Sequence, residues 1–259
     1  MATSRFPQII TTELILRSEN EDYIASLCIC YSSILEQYLE TVEYLHPKEL
    51  DYFLKLSFAR RIKSFLAGRY TAKNAVSFLT NDKKLNQILI KNGIFNQPIV
   101  VYPNNSNIQV SITHCDDLGA AIAFPESLPM GIDIERIDDN IKDVLESQIT
   151  DSEKRIIQLL PYPYETSLTL LWTIKESLSK ILRTGLTTPL HIFEINKIEI
   201  QNENIYSDFI YFSQYRTTSF IFDRYVCSIV YPKSVEFNKV AIKKIFLKLE
   251  QLITYSKND

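Results

Sequence analysis

Hydrophobic positions change period several times along the 259 residues, and each change marks an element. Ile9 to Leu16 predicts a strand and Ser32 to Tyr44 a helix, while Pro47 to Phe78 reads as a long helical stretch interrupted near Gly68. From Gln97 the pattern turns to short β-branched runs bounded by Asn, Asp, Pro or Gly. These predict a meander of strands at Ile99 to Tyr102, Ile108 to Thr113, Ala120 to Phe124 and Met130 to Glu135. Helical spacing returns over Ser152 to Leu160 and Tyr164 to Arg183. Strands follow at 191–200, 205–215 and 219–231, and a Lys-rich amphipathic helix over 235–254 comes last. Helices and strands fall in separate blocks, which predicts an α+β fold rather than a regular βαβ array. A shift of 107 positions lays Phe65, Arg69 and Lys73 over Trp172, Glu176 and Lys180, a faint internal echo between two helices.

Composition narrows the chemistry. With 46% hydrophobic and 23% charged residues the chain can bury a core without metals or disulfides. Only 5 residues are Gly, at 68, 93, 119, 131 and 185, too scattered for a phosphate-cradling loop or a Gly-x-Ser-x-Gly elbow. Net charge is 28 − 31 = −3, so no global basic field draws nucleic acid, and any anion site must be local. No apolar run is long enough for a membrane span and MATSRFPQII lacks a signal-peptide pattern, so the expected location is the cytoplasm. Cys28, Cys30, Cys115 and Cys227 have no Cys-x-x-Cys spacing, which speaks for incidental thiols and against zinc.

Three clusters carry candidate chemistry. In MGIDIERID (130–138) strand alternation puts Asp133 and Glu135 on one face and Ile132 and Ile134 on the other. Two like charges inside an apolar strand repel unless a cation sits between them, so a solvated polar face and a cation site are the two readings. In WTIKESLSKIL (172–182) Leu171, Ile174, Leu178 and Ile181 form the buried stripe, with Trp172, Glu176 and Lys180 on another face. Glu176 and Lys180 are either a surface i, i+4 pair or, with Asp133 and Glu135, part of an oxygen-donor set suited to Mg²⁺ and a phosphate ester or anhydride. The third cluster is basic: Lys55, Arg60, Arg61, Lys63, Arg69 and Lys73 are expected on an exposed arc, with Phe58, Ile62, Phe65 and Leu66 facing the core. That arc is either a solvated face or a grip for a diphosphate and a further phosphomonoester.

Taken together, FLAGRYTAK (65–73), SITH (111–114), GIDIE (131–135), WTIKESLSK (172–180) and GLTTPL (185–190) resemble, in order, the motifs of the 4′-phosphopantetheinyl transferases of the Sfp type. The resemblance spans about 47–193 and implies a pseudo-dimer of two similar α+β halves. The division it suggests is 1–115, an N-terminal half on the coenzyme A phosphate side, and 116–259, a half with the metal-binding and catalytic motifs. The implied reaction moves 4′-phosphopantetheine from coenzyme A, the substrate, to a serine of an apo acyl, peptidyl or polyketide carrier protein, with Mg²⁺ as cofactor and 3′,5′-ADP as the other product. It further implies a monomer with no nucleic-acid or membrane partner. The alternatives are a Mg²⁺-dependent nuclease or phosphodiesterase, and an inactive carrier-binding homologue.

Carried over by position, Asp133, Glu135 and Glu176 resemble the family's metal ligands, and Asp133, Glu176 and Lys180 its catalytic group. Lys180 is similar to the lysine beside the diphosphate, and His114 to the histidine on the 3′-phosphate of coenzyme A. Arg60, Arg61, Lys63 and Thr113 complete the expected coenzyme A contacts. Glu153 stands where the family has a further acid, expected at a carrier or base position, and the helix around Lys154, Arg155, Ile156, Leu159 and Leu160 is the expected carrier surface. The chain departs from the family at Phe95-Asn96-Gln97-Pro98, where Gln97 replaces a lysine, and at Thr113, which stands for serine.

Overall fold

The computed structural model describes residues 4–102 and 107–257. The chain begins with β1 (Gln8–Arg17), β2 (Asp22–Tyr31), α1 (Leu35–Glu40), α2 (Pro47–Phe53), α3 (Ala59–Thr80), β3 (Leu89–Asn92), β4 (Pro98–Val101), β5 (Ile108–Cys115) and β6 (Leu118–Pro125). It continues with β7 (Gly131–Arg136), α4 (Lys142–Glu146), α5 (Asp151–Ile157), α6 (Tyr164–Leu182), β8 (Ile195–Gln201), β9 (Asn204–Phe209), β10 (Tyr215–Phe222) and β11 (Tyr225–Pro232). The short β12 (Glu236–Phe237) and α7 (Lys239–Lys257) come last. Contacts divide the chain into a first unit, 1–128 with 236–259, and a second unit, 129–235.

The first unit is an antiparallel sheet in the order β12-β1-β2-β6-β5, with the β3–β4 hairpin separate from it. Helix α3 packs against β2, β5 and β6 and closes a core that includes Cys28, Ala72, Val76, Ile88, Val110 and Ala121. Strand β2 was not expected. Its last seven residues are all buried, so it lacks the alternation that betrays a strand, and a fully buried run has no period to read. The helix expected over Ser32 to Tyr44 is therefore short, α1 followed by a 3-10 turn at Thr41–Tyr44. The expected interruption at Gly68 is also corrected: α3 runs through it, and the break falls between Phe53 and Ala59.

The second unit is an antiparallel sheet in the order β7-β11-β10-β9-β8, with α6 against β7 and β11. Leu171, Ile174 and Leu178 are fully buried there, as the stripe on α6 predicts. The expected meander does not hold, because β7 joins this sheet while β5 and β6 pair with each other and β6 with β2. The run 219–231 is two strands of a hairpin, β10 and β11, turning at Asp223 with φ of 46°. The division also differs from 115/116: β6 pairs with β2 and so keeps residues to 125 in the first unit, and β12 pairs with β1 and returns α7 to it.

Each unit contains the same internal frame. In the first, Glu49 is the third residue of α2, in a capping box with His46, and its Oε2 meets Lys73 Nζ of α3 at 2.7 Å. Glu49 Oε2 also accepts the His46 N–H at 2.8 Å, and Oε1 accepts the Ile90 N–H of β3 at 2.9 Å. In the second, Glu153 of α5 sits in a capping box with Thr150, and its Oε2 meets Lys175 Nζ of α6 at 2.7 Å. Glu153 Oε2 accepts the Thr150 N–H at 2.8 Å and Oε1 the Ile195 N–H of β8 at 3.0 Å. Both long helices end in a left-handed residue with φ of 56°, Asn81 and Arg183, whose N–H groups reach Ser77 O and Ser179 O. Lys73 to Lys175 and Asn81 to Arg183 are each 102 residues apart, so the helices superpose with a shift of 102 rather than 107. Lys73 thus corresponds to Lys175 and not to Lys180.

The frame also buries residues expected at the surface. Lys73 is fully buried and the Arg69 side chain only 15% exposed, while Phe58, expected in the core, is 77% exposed. None of the four cysteines is in a disulfide; Cys28, Cys30 and Cys227 are buried and Cys115 is half-buried.

Candidate functional site

In the second unit, the acids meet because a glycine lets a helix come close. A Cβ on Gly131 would lie 2.0 Å from the Ser177 carbonyl oxygen, so α6 rests directly on β7 only if residue 131 has no side chain. This contact brings Glu176 of α6 beside Asp133 of β7. Asp133 is 3% exposed, and Lys180 Nζ donates to its Oδ1 at 2.7 Å and to the Ile132 carbonyl at 2.8 Å. Glu176 Oε1 is buried and accepts no hydrogen bond. Burial pushes the Glu176 carboxyl above its ordinary range and Asp133 adds to this, while Lys180 and the Ser179 side chain pull the other way. Glu135, on the same face of β7 two residues on, is half-buried.

The donor set suits a hard cation. A buried carboxylate oxygen without a partner, next to a second buried carboxylate, is a site at which a cation relieves both desolvation and repulsion. Mg²⁺ is held by one or two carboxylates together with waters and substrate phosphates, and Asp133 and Glu176 meet that need with oxygen alone. Among the described residues, no three His, Cys, Asp or Glu side chains are gathered into a ready-made metal cluster.

Within the first unit a cleft of about 220 Å³ is lined by Arg61, Ser64 and Arg69 of α3, Asn92 at the end of β3 and His114 of β5. Two expected coenzyme A contacts, Arg61 and His114, lie here. Arg60, Lys63 and Thr113 are not among its described lining residues. Lys63 instead forms an ion pair with Asp117 and sits 5.8 Å from the centre of the Tyr38 ring. Thr113 is buried, on the opposite face of β5 from its neighbour His114 by strand alternation. Asn92 was absent from the expected contacts, and Arg69 stood only within the basic arc, although Pro47 followed by Glu49 is a legible start of a capped helix that supplies Arg69 with its carboxylate.

The remaining expectations divide. Glu153 is fully buried against Lys175, so it holds the frame and is not open to a carrier or substrate. On and after α5, Leu159 is 86% exposed, Arg155 is exposed and Ile156 half-buried. Gln97 shapes the β3–β4 turn, where its Oε1 accepts the Phe95 N–H at 2.9 Å, and it lines a separate cavity beside Ile94 and Phe95.

Residues 129–230, nearly the whole second unit, match the model of the 4′-phosphopantetheinyl transferase superfamily. No curated protein matches the chain. Among solved structures, a holo-(acyl-carrier-protein) synthase from Bacillus anthracis in complex with CoA (3′,5′-ADP) is 18% identical. That match covers 44% of this chain and 95% of the other, with a TM-score of 0.33. The α+β class with two similar halves stands on the strands, helices and repeated frame of the chain itself. No described helix is long and apolar enough to cross a membrane.

Proposed function

We propose that the protein transfers 4′-phosphopantetheine from coenzyme A to a serine hydroxyl of an apo carrier protein in a Mg²⁺-dependent reaction. The observation that carries this reading is the unpartnered buried Oε1 of Glu176 beside Asp133, inside the segment that matches the superfamily. The serine oxygen forms a bond to the β-phosphorus of coenzyme A, and the bond from that phosphorus to the bridging oxygen breaks. The products are phosphopantetheinyl-serine and 3′,5′-ADP. Glu176 takes the serine proton. Lys180 keeps Asp133 oriented and adds positive charge near the diphosphate, where charge grows on the leaving group. Asp133 and Glu176, with Glu135 beside them, would hold Mg²⁺, which would supply charge neutralisation for the diphosphate. The cleft with Arg61 and His114 takes the 3′-phosphate in this reading.

The carrier is an acidic partner, and the region from α5 to Leu160 fits it, with Leu159 as an apolar centre and Lys154 and Arg155 as a basic rim. Fatty-acid, polyketide and nonribosomal-peptide carriers share that chemistry, so a panel of apo carriers is the assay. Release of 3′,5′-ADP in the presence of one of them should stop in excess EDTA and resume with Mg²⁺ or Mn²⁺. Undiminished release after rigorous chelation overturns the metal assignment.

A further inference from the structure

A chain of three buried hydroxyls runs beneath α6 at the acid site. Thr173 of α6, Ser228 of β11 and Ser219 of β10 are each fully buried. Thr173 Oγ1 lies 2.8 Å from Ser228 Oγ, which lies 2.8 Å from Ser219 Oγ. A hydroxyl has one proton, and that of Thr173 goes to the Leu170 carbonyl at 3.0 Å. Ser228 therefore donates to Thr173 and Ser219 to Ser228, so the order of donors is fixed and every proton has an acceptor.

The repeated frame does not need these groups. The 102-residue shift lays Thr173 over Thr71 and Ser177 over Ala75. The Ala75 carbonyl is met by Ser26 of β2, as the Ser177 carbonyl is by Gly131 of β7, so β2 matches β7 and Cys28 matches Asp133. Ser228 faces Asp133 across the ladder, and Ser219 faces Ser228. In the first unit Ala121 faces Cys28, and Ile112 faces Ala121. Two apolar side chains thus stand where the second unit has serines, and Thr71 turns instead to the Ala67 carbonyl at 2.6 Å and to Cys30 Sγ at 2.7 Å. Buried hydroxyls cost desolvation that Ala and Ile do not, and a hydrogen-bonded chain returns direction where apolar contact gives only proximity. That direction is applied at the acids. Thr173 and Ser177 bracket Glu176 along α6, while Ser228 is the residue directly opposite Asp133.

We infer that Thr173 and Ser228, completed by Ser219, are positioning residues that lock α6 on β11 in the register at which Glu176 meets Asp133. All three are fully buried, so they act through the two carboxylates and not on substrate. The cation these carboxylates serve, and the transfer it supports, rest on the function proposed above.

The test measures kcat, KM for coenzyme A and, separately from turnover, Mn²⁺ binding to the full chain by loss of the free-ion electron paramagnetic resonance signal. Thr173→Val keeps the shape of the side chain and deletes the hydroxyl. It should lower kcat and weaken Mn²⁺ binding roughly 10- to 100-fold, the scale for losing a partner that orients a metal ligand, with KM for coenzyme A within about twofold. Thr173→Ser should restore most of both. Ser228→Ala should act in the same direction, and it carries the prediction if Thr173→Val does not fold. Thr71→Val removes a comparably buried hydroxyl from the first unit and should leave kcat and Mn²⁺ binding within about twofold, which separates positioning from a general loss of stability. If Thr173→Val and Ser228→Ala keep wild-type kcat and Mn²⁺ affinity, or if Thr71→Val lowers them equally, the inference is wrong and the proposed function stands. If the wild type neither binds Mn²⁺ nor transfers from coenzyme A, the proposed function falls and the inference with it.

Discussion

The two units build the same frame and fill it with different chemistry. In each, a capped short helix supplies a buried glutamate that ties down a lysine of the long helix and a backbone N–H at the start of a strand. Shifting α6 onto α3 by 102 puts Asn74 where Glu176 stands and Phe78 where Lys180 stands. On the strand, Gly131 faces the Ser177 carbonyl, and in the first unit Ser26 occupies the matching place, its hydroxyl donating to the Ala75 carbonyl at 2.6 Å. The matching residues for Asp133 and Glu135 are then Cys28 and Cys30, both buried and neutral. The frame is thus separable from the chemistry. Stability is invested in the pairs common to both units, and the acid site is added only to the second.

The largest expected effect tests the shared part. Removing one partner of a buried ion pair strands the other charge, at about 3–5 kcal/mol. Glu153→Ala and Glu49→Ala should each lower stability by that order, seen as an earlier urea midpoint. If one of the two is nearly silent, the frames are not equivalent.

Next come the acids. Asp133→Ala or Glu176→Ala should reduce kcat by about 10²–10³, the scale for losing one preorganised electrostatic partner; the melting temperature should hold or rise in Glu176→Ala, where acid–acid repulsion is relieved, and fall in Asp133→Ala, which leaves Lys180 without its partner. Asn74→Ala at the matching place should leave kcat within about twofold. A large melting loss in Glu176→Ala would mark that residue as structural.

A smaller effect follows the pH. Burial pushes the Asp208 carboxyl up, but hydrogen bonds from Arg216 at 3.0 Å and Lys233 at 3.0 Å outweigh it and hold the group below its ordinary range. Its contribution is therefore complete above the unfolded carboxylate value near 3.8 and is lost as pH falls through the lower folded value. Asp208→Asn should cost roughly 1–2 kcal/mol at pH 7 and nothing once both states are protonated. Melting curves from neutral to acid pH check this, and an unchanged difference at low pH would contradict it.

The smallest effects lie at the rims. Charge reversal of Lys154 and Arg155 should raise KM for an acidic carrier severalfold and flatten its salt dependence, leaving coenzyme A binding alone. Gln97→Lys should tighten coenzyme A binding modestly; because Gln97 holds the Phe95 N–H, a loss of affinity would show that turn geometry outweighs the added charge.

The parts of this arrangement that were legible in the sequence are those with local periodicity. Asp133 and Glu135 follow from strand alternation, and Glu176 and Lys180 from spacing on α6. Their meeting was less legible, because it depends on Gly131 admitting a helix more than 40 residues away in sequence. Arg69 and Lys73 read as exposed cations, since the carboxylate that buries them, Glu49, lies on another helix. Strand β2 was hidden by its burial, and without it neither the first sheet nor the correct shift between the units could be drawn.

The central claim is that transfer chemistry belongs to the second unit's acid site. The most direct measurement is the intact mass of an apo carrier after incubation with coenzyme A, Mg²⁺ and the full chain, run beside Asp133→Ala and its first-unit counterpart Cys28→Ala. The account predicts a gain of one phosphopantetheine group with the wild type and with Cys28→Ala, and none with Asp133→Ala or in excess EDTA. An undiminished gain with Asp133→Ala, or its loss only with Cys28→Ala, would contradict it.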